Sequence, residues 1–265
     1  MWCLVQLINE QSDYLVASED DTEGSPTTID NVANGKLEGG KDPEVSEGDY
    51  SYAYEKLDKY KNISGFCTDS TEMSVNVSAQ TYVNRRLENG TRMIAVVGQG
   101  ISVPFEERAQ HASSFDDFQV IFVGNGYQTN TGEFIDGARA IARVLGMAIS
   151  GFHTNSLTHE TVTGSVGVYG ELTDPEYDTA ATSGMLVFSE SDEGLAQTDY
   201  GINTKVTFNE DEDQGWMKIR RTRTRFELFN RATSITDRLI ATVDNNEDGR
   251  AHILATLNDM IDRMP

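Results

Sequence analysis

Apolar and polar residues follow two different periods in the middle of this chain. Continuous apolar runs occupy residues 93–97 and 120–123, whereas the stretches around them carry apolar residues three and four positions apart. A short continuous run is typical of a strand covered on both faces, and the longer spacing is typical of a helix packed on one side. Strands that alternate with helices predict an α/β domain. Helices are predicted at about 49–60, 71–89, 104–112 and 134–149, with a further strand at 63–67.

The pattern changes after Gly151. Residues 161–169, 185–188 and 217–225 are predicted to be extended, and helices at about 227–242 and 249–263 are predicted to close the chain. These elements predict a mixed α/β (α+β) fold. It would have a central β-sheet flanked by helices and an antiparallel C-terminal part that ends in two helices.

The charge balance narrows the classes of partner. The chain has 43 acidic and 21 basic residues and a net charge of -22. Phosphate contacts require Lys and Arg, so we expect neither a nucleic-acid partner nor attachment to an anionic membrane. No apolar run reaches the roughly 18 residues of a membrane span. The two cysteines, Cys3 and Cys67, predict neither a disulfide framework nor a metal cluster.

A basic stretch follows the acidic segments of the chain. Within the segment from Lys218 to Arg225, Arg and Thr alternate from Arg221 onwards, and a period of two predicts a strand. Arg221, Arg223 and Arg225 would then point to the same face. Two interpretations stay open: an exposed sheet face, or a contact face for carboxylates of a neighbouring subunit, since Arg pairs with carboxylates in a bidentate manner.

Motifs for ligand chemistry are incomplete. Gly98-Gln99-Gly100 lacks the third glycine of a dinucleotide fingerprint and predicts a turn. Residues 244–249 resemble the first half of a calcium loop, but its twelfth position is Ala255 rather than Glu. We therefore predict an ordinary loop in which Asp248 caps the last helix, and we expect no cofactor or metal. A hydrolase that uses His153 and His159, or a soluble α/β binding module, remains an alternative.

Eight short motifs occur in a familiar order. They are Leu-Glu-Gly-Gly-Lys-Asp at 37–42, Asp-Tyr at 49–50, Val-Gly-Asn-Gly at 123–126 before the Ala-rich helix, Ser-Leu-Thr at 156–158, Gly-Met-Leu-Val-Phe at 184–188, Gly-Ile-Asn-Thr at 201–204, Lys-Ile-Arg at 218–220 and Asn-Asn-Glu-Asp-Gly-Arg at 245–250. Over roughly residues 35–265 this order resembles the tail sheath proteins of contractile-tailed phages and of related phage-tail-like particles.

The resemblance implies a structural subunit rather than an enzyme. Sheath subunits form a homo-oligomer of stacked hexameric rings, a helical stack, around a tail tube, and contraction drives the tube through a bacterial envelope. The implied partners are other copies of the chain, the tail tube protein and baseplate proteins. The implied location is the virion tail, which is assembled in the cytoplasm of the host bacterium. Terminal arms link neighbours by adding strands to an adjacent sheet.

The resemblance also divides the chain and suggests contact residues. Residues 1–36 would form a partial N-terminal strand and an acidic loop, residues 37–265 the core domain, and residues 151–265 its C-terminal part, whose helices face the tube. Candidate contacts with the tube or a neighbouring subunit are Lys218, Arg220, Arg221, Arg223, Arg225, Asn203, Asn246 and Arg250. Family members usually continue beyond both ends of the matched region, so we expect this chain to lack the terminal arms and to assemble poorly without them.

Overall fold

The computed structural model describes residues 45–60, 62–240 and 242–264. The predicted N-terminal strand and acidic loop of residues 1–36 and the Leu-Glu-Gly-Gly-Lys-Asp motif at 37–42 lie outside these residues. The helices are α1 Glu47–Leu57, α2 Met73–Glu88, α3 Phe105–Phe115, α4 Gly137–Ser150, α5 Asp174–Thr182, a 3-10 turn at Gln214–Met217, α6 Ile219–Ile240 and α7 Glu247–Asp262. The strands are β1 Gly65–Cys67, β2 Ile94–Gly98, β3 Val120–Val123, β4 Gly126–Thr129, β5 Phe134–Ile135, β6 Ser165–Tyr169, β7 Met185–Leu186, β8 Phe188–Glu190 and β9 Ala196–Thr198.

A parallel sheet with the strand order β1-β2-β3-β7 forms the centre of the fold. The two middle strands are the continuous apolar runs of the sequence, and all their residues are buried. Side chains alternate between the two faces of a strand. Val96 and Ile121 therefore join Val144 of α4 in one apolar cluster. Val97 and Phe122 face the other way, into the cluster that contains residues of α1, α2, α3 and α5.

Two smaller antiparallel sheets complete the fold, with orders β5-β4-β6 and β8-β9. Asn125 connects them to the end of β3 and is fully buried. Its Nδ2 donates to the carbonyl oxygens of Phe188, at 2.9 Å, and Gly170, at 3.2 Å, while its Oδ1 accepts from the Phe188 amide at 2.7 Å. The central sheet, the flanking helices and the antiparallel part confirm the predicted fold class.

Several element boundaries differ from the sequence prediction. Helix α1 begins after Ser46, and Asp49 completes a capping box by accepting from the Ser46 amide at 2.9 Å, rather than being the N-cap itself. Helix α2 begins after Glu72, not at Thr71. Phe134 belongs to strand β5, and α4 begins after Asp136, whose carboxylate caps the Arg139 amide at 3.1 Å.

The predicted strand at 217–225 is wrong. The 3-10 turn ends at Met217, and α6 begins at Ile219 and continues through the whole basic stretch. Ile219, Thr222 and Phe226 are buried at a spacing of three and four residues, which is a helical stripe. The alternating Thr and Arg residues have a period of two, which predicted a strand. The segment is a helix because a helix buries Ile219, Thr222 and Phe226 together against the core.

Tyr54 of α1 provides a test of the packing between α1 and the sheet. It is buried in an aromatic cluster, with its ring centroid 5.1 Å from that of Phe66, and its hydroxyl has no hydrogen-bond partner among the described residues. Burial raises the pKa of Tyr54 to about 12. The pKa of Tyr54 in the folded state lies above the unfolded value near 10. Its contribution to the free energy of unfolding is therefore fully present below pH ~10 and is lost as the pH rises towards 12.

Tyr54→Phe is therefore expected to change both the stability and its pH dependence. Removing an unpartnered buried hydroxyl raises the free energy of unfolding by about 1 kcal/mol at neutral pH. The decline of stability between pH ~10 and ~12 becomes shallower. Urea unfolding at a series of pH values measures both effects, with the exposed Tyr52→Phe as the control. An alkaline decline as steep as that of the control would contradict the assignment.

Candidate subunit interface

The two C-terminal helices form a hairpin that covers little of the core. Helix α7 packs mainly against α6, and the second half of α6 contributes no buried residue. Large apolar side chains remain exposed on this C-terminal hairpin (α6 with α7): they are Phe229, Ile240, Leu254 and Ile261. Exposed apolar side chains on a projecting element are typical of a contact surface. The sequence interpretation did not single out these four residues, because only the structure shows which apolar positions of a helix have no partner.

Asn203 joins the start of the hairpin to the core. It is fully buried. Its Nδ2 donates to the Trp216 carbonyl at 2.9 Å and to the Thr222 hydroxyl at 3.2 Å, and its Oδ1 accepts from the Lys205 amide at 3.0 Å. Every polar atom of its side chain is therefore used inside the subunit in this conformation, and the predicted contact of Asn203 with a partner stays a prediction.

The neighbours of Asn203 extend this junction to the central sheet. Thr204 donates its amide to the Val120 carbonyl at 2.9 Å and its hydroxyl to the Asp117 carbonyl at 2.9 Å. The Gly201 carbonyl accepts from the Ile219 amide at 3.1 Å. The Gly-Ile-Asn-Thr motif is thus the connection between the start of β3 and the start of α6, and it fixes the direction in which the hairpin leaves the core.

The arginines of α6 point in different directions because they lie on a helix. Arg221 and Arg225, four residues apart, share one face: Arg221 pairs with Asp213 at 2.5 Å, and the Arg225 guanidinium lies 3.4 Å from the ring centroid of Trp216. Arg223 points away from them and donates to the Gly151 carbonyl. Burial lowers the pKa of Arg223 and of Arg225. The predicted row of three arginines is therefore wrong.

The other predicted contact residues differ in how far they are engaged within the subunit. Arg220 is exposed, and the Lys218 ammonium lies 5.3 Å from the ring centroid of Tyr200. Asn246, rather than Asp248, caps α7, because its Oδ1 accepts from the Gly249 amide at 2.8 Å. Arg250 is exposed and donates to Asn245 at 3.4 Å.

The outer edge of the parallel sheet is a second candidate surface. Among the described residues no strand pairs with the outer side of β1. A groove of about 620 Å³ lies beside this edge, between α1 and α4. Its lining is mostly apolar and includes Tyr50, Leu57, Phe66 and Ile141. An unpaired strand edge can accept a further strand from another chain.

The two histidines of the hydrolase alternative lie in different surroundings in the described part of the chain. His153 lies next to α6, whereas His159 contacts Gln197 of β9 at 3.5 Å. Within the described residues there is no group of three or more His, Cys, Asp and Glu side chains that could hold a metal ion. The described helices also include none that is long and apolar enough to cross a bilayer.

Comparison with known proteins finds similar solved structures but no match by sequence. No protein-family model matches the sequence, and no curated protein matches it. Similar solved structures include the sheath tail protein from Desulfitobacterium hafniense, which is 22% identical with a TM-score of 0.73 over 89% of this chain. A sheath tail protein from Listeria innocua is 19% identical, with a TM-score of 0.69 over 89% of this chain. The helical sheath of the anti-feeding prophage in its contracted state is 12% identical, with a TM-score of 0.57 over 84% of this chain.

The matched region is only part of each of these proteins. This chain covers 55% of each of the two sheath tail proteins and 60% of the anti-feeding prophage sheath. The chain therefore has the fold of the tail sheath proteins.

Proposed function

We propose that this chain is a structural subunit of a contractile sheath. Copies of it would assemble as stacked hexameric rings around a tail tube, and contraction would drive the tube through a bacterial envelope. The observation that carries the proposal is the similarity to sheath structures over 84–89% of the chain. The role is mechanical rather than enzymatic, and it requires no cofactor, nucleic acid or membrane anchor.

The outer edge of β1, with which no strand pairs in the part of the chain that the structure describes, supports linkage between neighbouring subunits. A strand added there would form backbone hydrogen bonds along β1, and its apolar side chains would enter the groove beside Tyr50, Leu57 and Phe66. Main-chain hydrogen bonds survive a change of angle between subunits better than a rigid side-chain interface does. Strand addition of this kind therefore suits a sheath whose subunits rotate against one another but stay linked.

The C-terminal hairpin supports contact with the tube. Ile240, Leu254 and Ile261 are 50–72% exposed, and Arg220 and Arg250 are exposed on the same hairpin. An apolar patch with arginines around it is the usual composition of a protein–protein interface. The Asn203 junction fixes the hairpin to the core, so a movement of the core would carry the hairpin with it. Such coupling suits release of the tube during contraction.

The remaining features of the proposal concern the particle. The partners would be further copies of the chain, the tube protein and baseplate proteins, and one of the similar structures is the baseplate of the anti-feeding prophage. The chain would assemble in the cytoplasm of the host bacterium and function in the tail of the particle. A soluble binding module is the second candidate, and it would remain a monomer bound to one partner.

Electron microscopy of the purified chain tests the proposal. The chain is examined over a concentration series, alone and with the tube protein encoded beside it, and the longest product of its gene is examined in the same way. We expect six-fold rings or tubes with the tube protein, and longer ones from the longest gene product. A monomer in every mixture would contradict the proposal.

A pair of variants shows whether the hairpin is the tube contact. Leu254→Glu with Ile261→Glu places two charges on the exposed apolar surface and is expected to abolish tube-dependent assembly. Val77→Glu with Val166→Glu makes the same change at exposed valines outside the hairpin and is the matched control. Equal assembly of the two variants would exclude the hairpin as the contact.

A further inference from the structure

A cationic groove lies between the end of α4 and the middle of α6. Its volume is about 360 Å³. Arg92, Arg223 and Arg231 line it, together with a single carboxylate, Glu227. Arg231 already pairs with Glu227 at 2.6 Å. In a chain with twice as many acidic as basic residues, two remaining arginines in one groove are unusual.

The polar groups of this groove are only partly satisfied within the subunit. Neither Arg92 nor Arg223 pairs with a carboxylate among the described residues; their hydrogen bonds go to backbone carbonyls and to Asn230. The Nε2 atom of His153 is buried there without a partner in the described part of the chain. Buried polar atoms normally have a partner, so the groove has room for an acceptor from another molecule.

An exposed aromatic side chain stands at the rim of the groove. Phe152 is 75% exposed, the largest value among the apolar side chains that the structure describes, and Ile149 beside it is 37% exposed. Arginines next to an exposed aromatic residue are the composition of an interface centre. The groove therefore fits a segment that brings carboxylates into contact with the arginines and covers Phe152.

The turn between β8 and β9 has the complementary charge. Glu190, Asp192 and Glu193 are exposed there, and none of them pairs with a basic side chain among the described residues. The turn is well defined, because the Ser191 amide donates to the Leu195 carbonyl at 2.9 Å. It presents its carboxylates without a large loss of conformational entropy on binding.

Other acidic segments are less suitable. In the loop before α6, Asp213 is paired with Arg221 at 2.5 Å and Glu212 with Lys205 at 3.6 Å. Glu247 and Asp248 lie in the first turn of α7, where the helix dipole already stabilises them. Glu210 and Asp211 of the loop before α6 are exposed and unpaired among the described residues, but the β8–β9 turn presents three unpaired carboxylates, and charge complementarity therefore favours it.

We propose that the cationic groove binds the acidic β8–β9 turn of a second copy of this chain. The inference rests on the proposed function, to which it adds one specific contact between subunits. The contact is head-to-tail, so it propagates from copy to copy rather than closing into a two-fold dimer. Two copies with a net charge of -22 each repel one another, and the local pairing of Arg with carboxylate selects one orientation against that repulsion.

Reversing the charge on each side separately provides the test. Arg92→Glu with Arg223→Glu inactivates the groove, and Asp192→Lys with Glu193→Lys inactivates the turn. Each variant alone is expected to sediment as a monomer at concentrations where the unchanged chain forms oligomers, with an association at least about thirtyfold weaker. Mixed together, the two variants are expected to associate again, because the intact turn of one meets the intact groove of the other and the two reversed surfaces again carry opposite charges.

Two further variants distinguish the loss of this contact from misfolding or from a general effect of charge. Phe152→Ala changes an exposed position without placing a charge in the groove, and it is also expected to weaken association. Lys59→Glu makes the same charge change at an exposed lysine outside the groove and is expected to leave association unchanged. Circular dichroism confirms that each variant is folded.

The outcomes separate this inference from the proposed function. A mixture that stays monomeric while the unchanged chain forms rings or tubes would overturn the groove contact and leave the sheath assignment intact. A mixture that stays monomeric together with an unchanged chain that never assembles, even with the tube protein, would overturn both. Equal weakening by Lys59→Glu would show that net charge, not the groove, controls association.

Discussion

Asn203→Ala is expected to lower the free energy of unfolding by about 3 kcal/mol. The substitution removes a fully buried side chain and takes its hydrogen bonds from the Trp216 carbonyl and the Lys205 amide, while the Thr222 hydroxyl keeps only its bond to the Phe118 carbonyl at 3.3 Å. Each buried polar group that loses its partner costs about 1–3 kcal/mol, reduced where water can enter. These groups belong to the junction between the core and α6, so the start of the C-terminal hairpin is expected to loosen before the sheet unfolds.

Urea unfolding measures the change in stability, and limited proteolysis measures the loosening. Asn209→Ala is the matched control, because Asn209 is exposed in the loop that follows and its side chain makes no hydrogen bond within the described residues. The control is expected to change stability by less than about 0.5 kcal/mol. A loss below about 1 kcal/mol in Asn203→Ala, or proteolysis that begins in the sheet, would contradict the role of the junction.

Phe122→Ala is expected to have the largest effect on stability, about 4 kcal/mol. Phe122 is fully buried in β3, in register with Met185 of β7, and its ring centroid is 6.1 Å from that of Phe115 in α3. Truncation removes the transfer free energy of the ring and leaves a cavity in the buried cluster that Phe122 shares with Phe115 and Met185. Such Phe→Ala changes cost about 3–5 kcal/mol.

Phe152→Ala is the matched control for this truncation, because it makes the same chemical change at a side chain that is 75% exposed. Urea unfolding is expected to show a loss near zero for the control. The two variants should also separate stability from assembly: Phe122→Ala lowers stability, whereas Phe152→Ala weakens association of a stable subunit. A comparable loss of stability in both would mean that the core does not lie where the structure places it.

The proposed mechanical role depends on the connection between the outer edge of β1 and the C-terminal hairpin. Among the described residues no strand pairs with that edge of the parallel sheet, and the Gly-Ile-Asn-Thr junction starts from the beginning of β3. A force applied by an added strand at β1 therefore passes through the sheet to the base of the hairpin. A subunit that moves as one body can change its packing against neighbours without unfolding, which is what a two-state assembly requires.

Part of the fold followed from the sequence because local pattern and burial agreed. Residues 93–97 and 120–123 were predicted as buried strands, and they form β2 and β3 at the centre of the sheet. The Ala-rich segment was predicted as a helix and forms α4, with a start three residues later than predicted. A short continuous apolar run is buried on both faces as a strand, and apolar residues spaced three and four positions apart are buried together as a helix. In each of these segments the apolar spacing therefore indicated the correct conformation.

The basic stretch shows why the prediction failed elsewhere. Its polar residues alternate with a period of two, while its buried residues, Ile219, Thr222 and Phe226, follow a helical period. Sequence alone does not state which of the two sets is buried, and burial of apolar surface contributes more to the free energy of folding than surface alternation does. The choice was made by the surface that α6 meets, which includes residues of β2, β3 and α4.

The sequence by itself determined the fold class, the strongly acidic balance and the order of motifs that resembles tail sheath proteins. Only the tertiary structure decided what those motifs do. It showed that Asn203 is a buried connector and that Arg223 diverges from Arg221 and Arg225. It also brought residues from β2, α4 and α6 into one cationic groove. The physical reason is that periodicity reports on one segment at a time, whereas a surface is made by segments that are distant in sequence and that meet only when the core is packed.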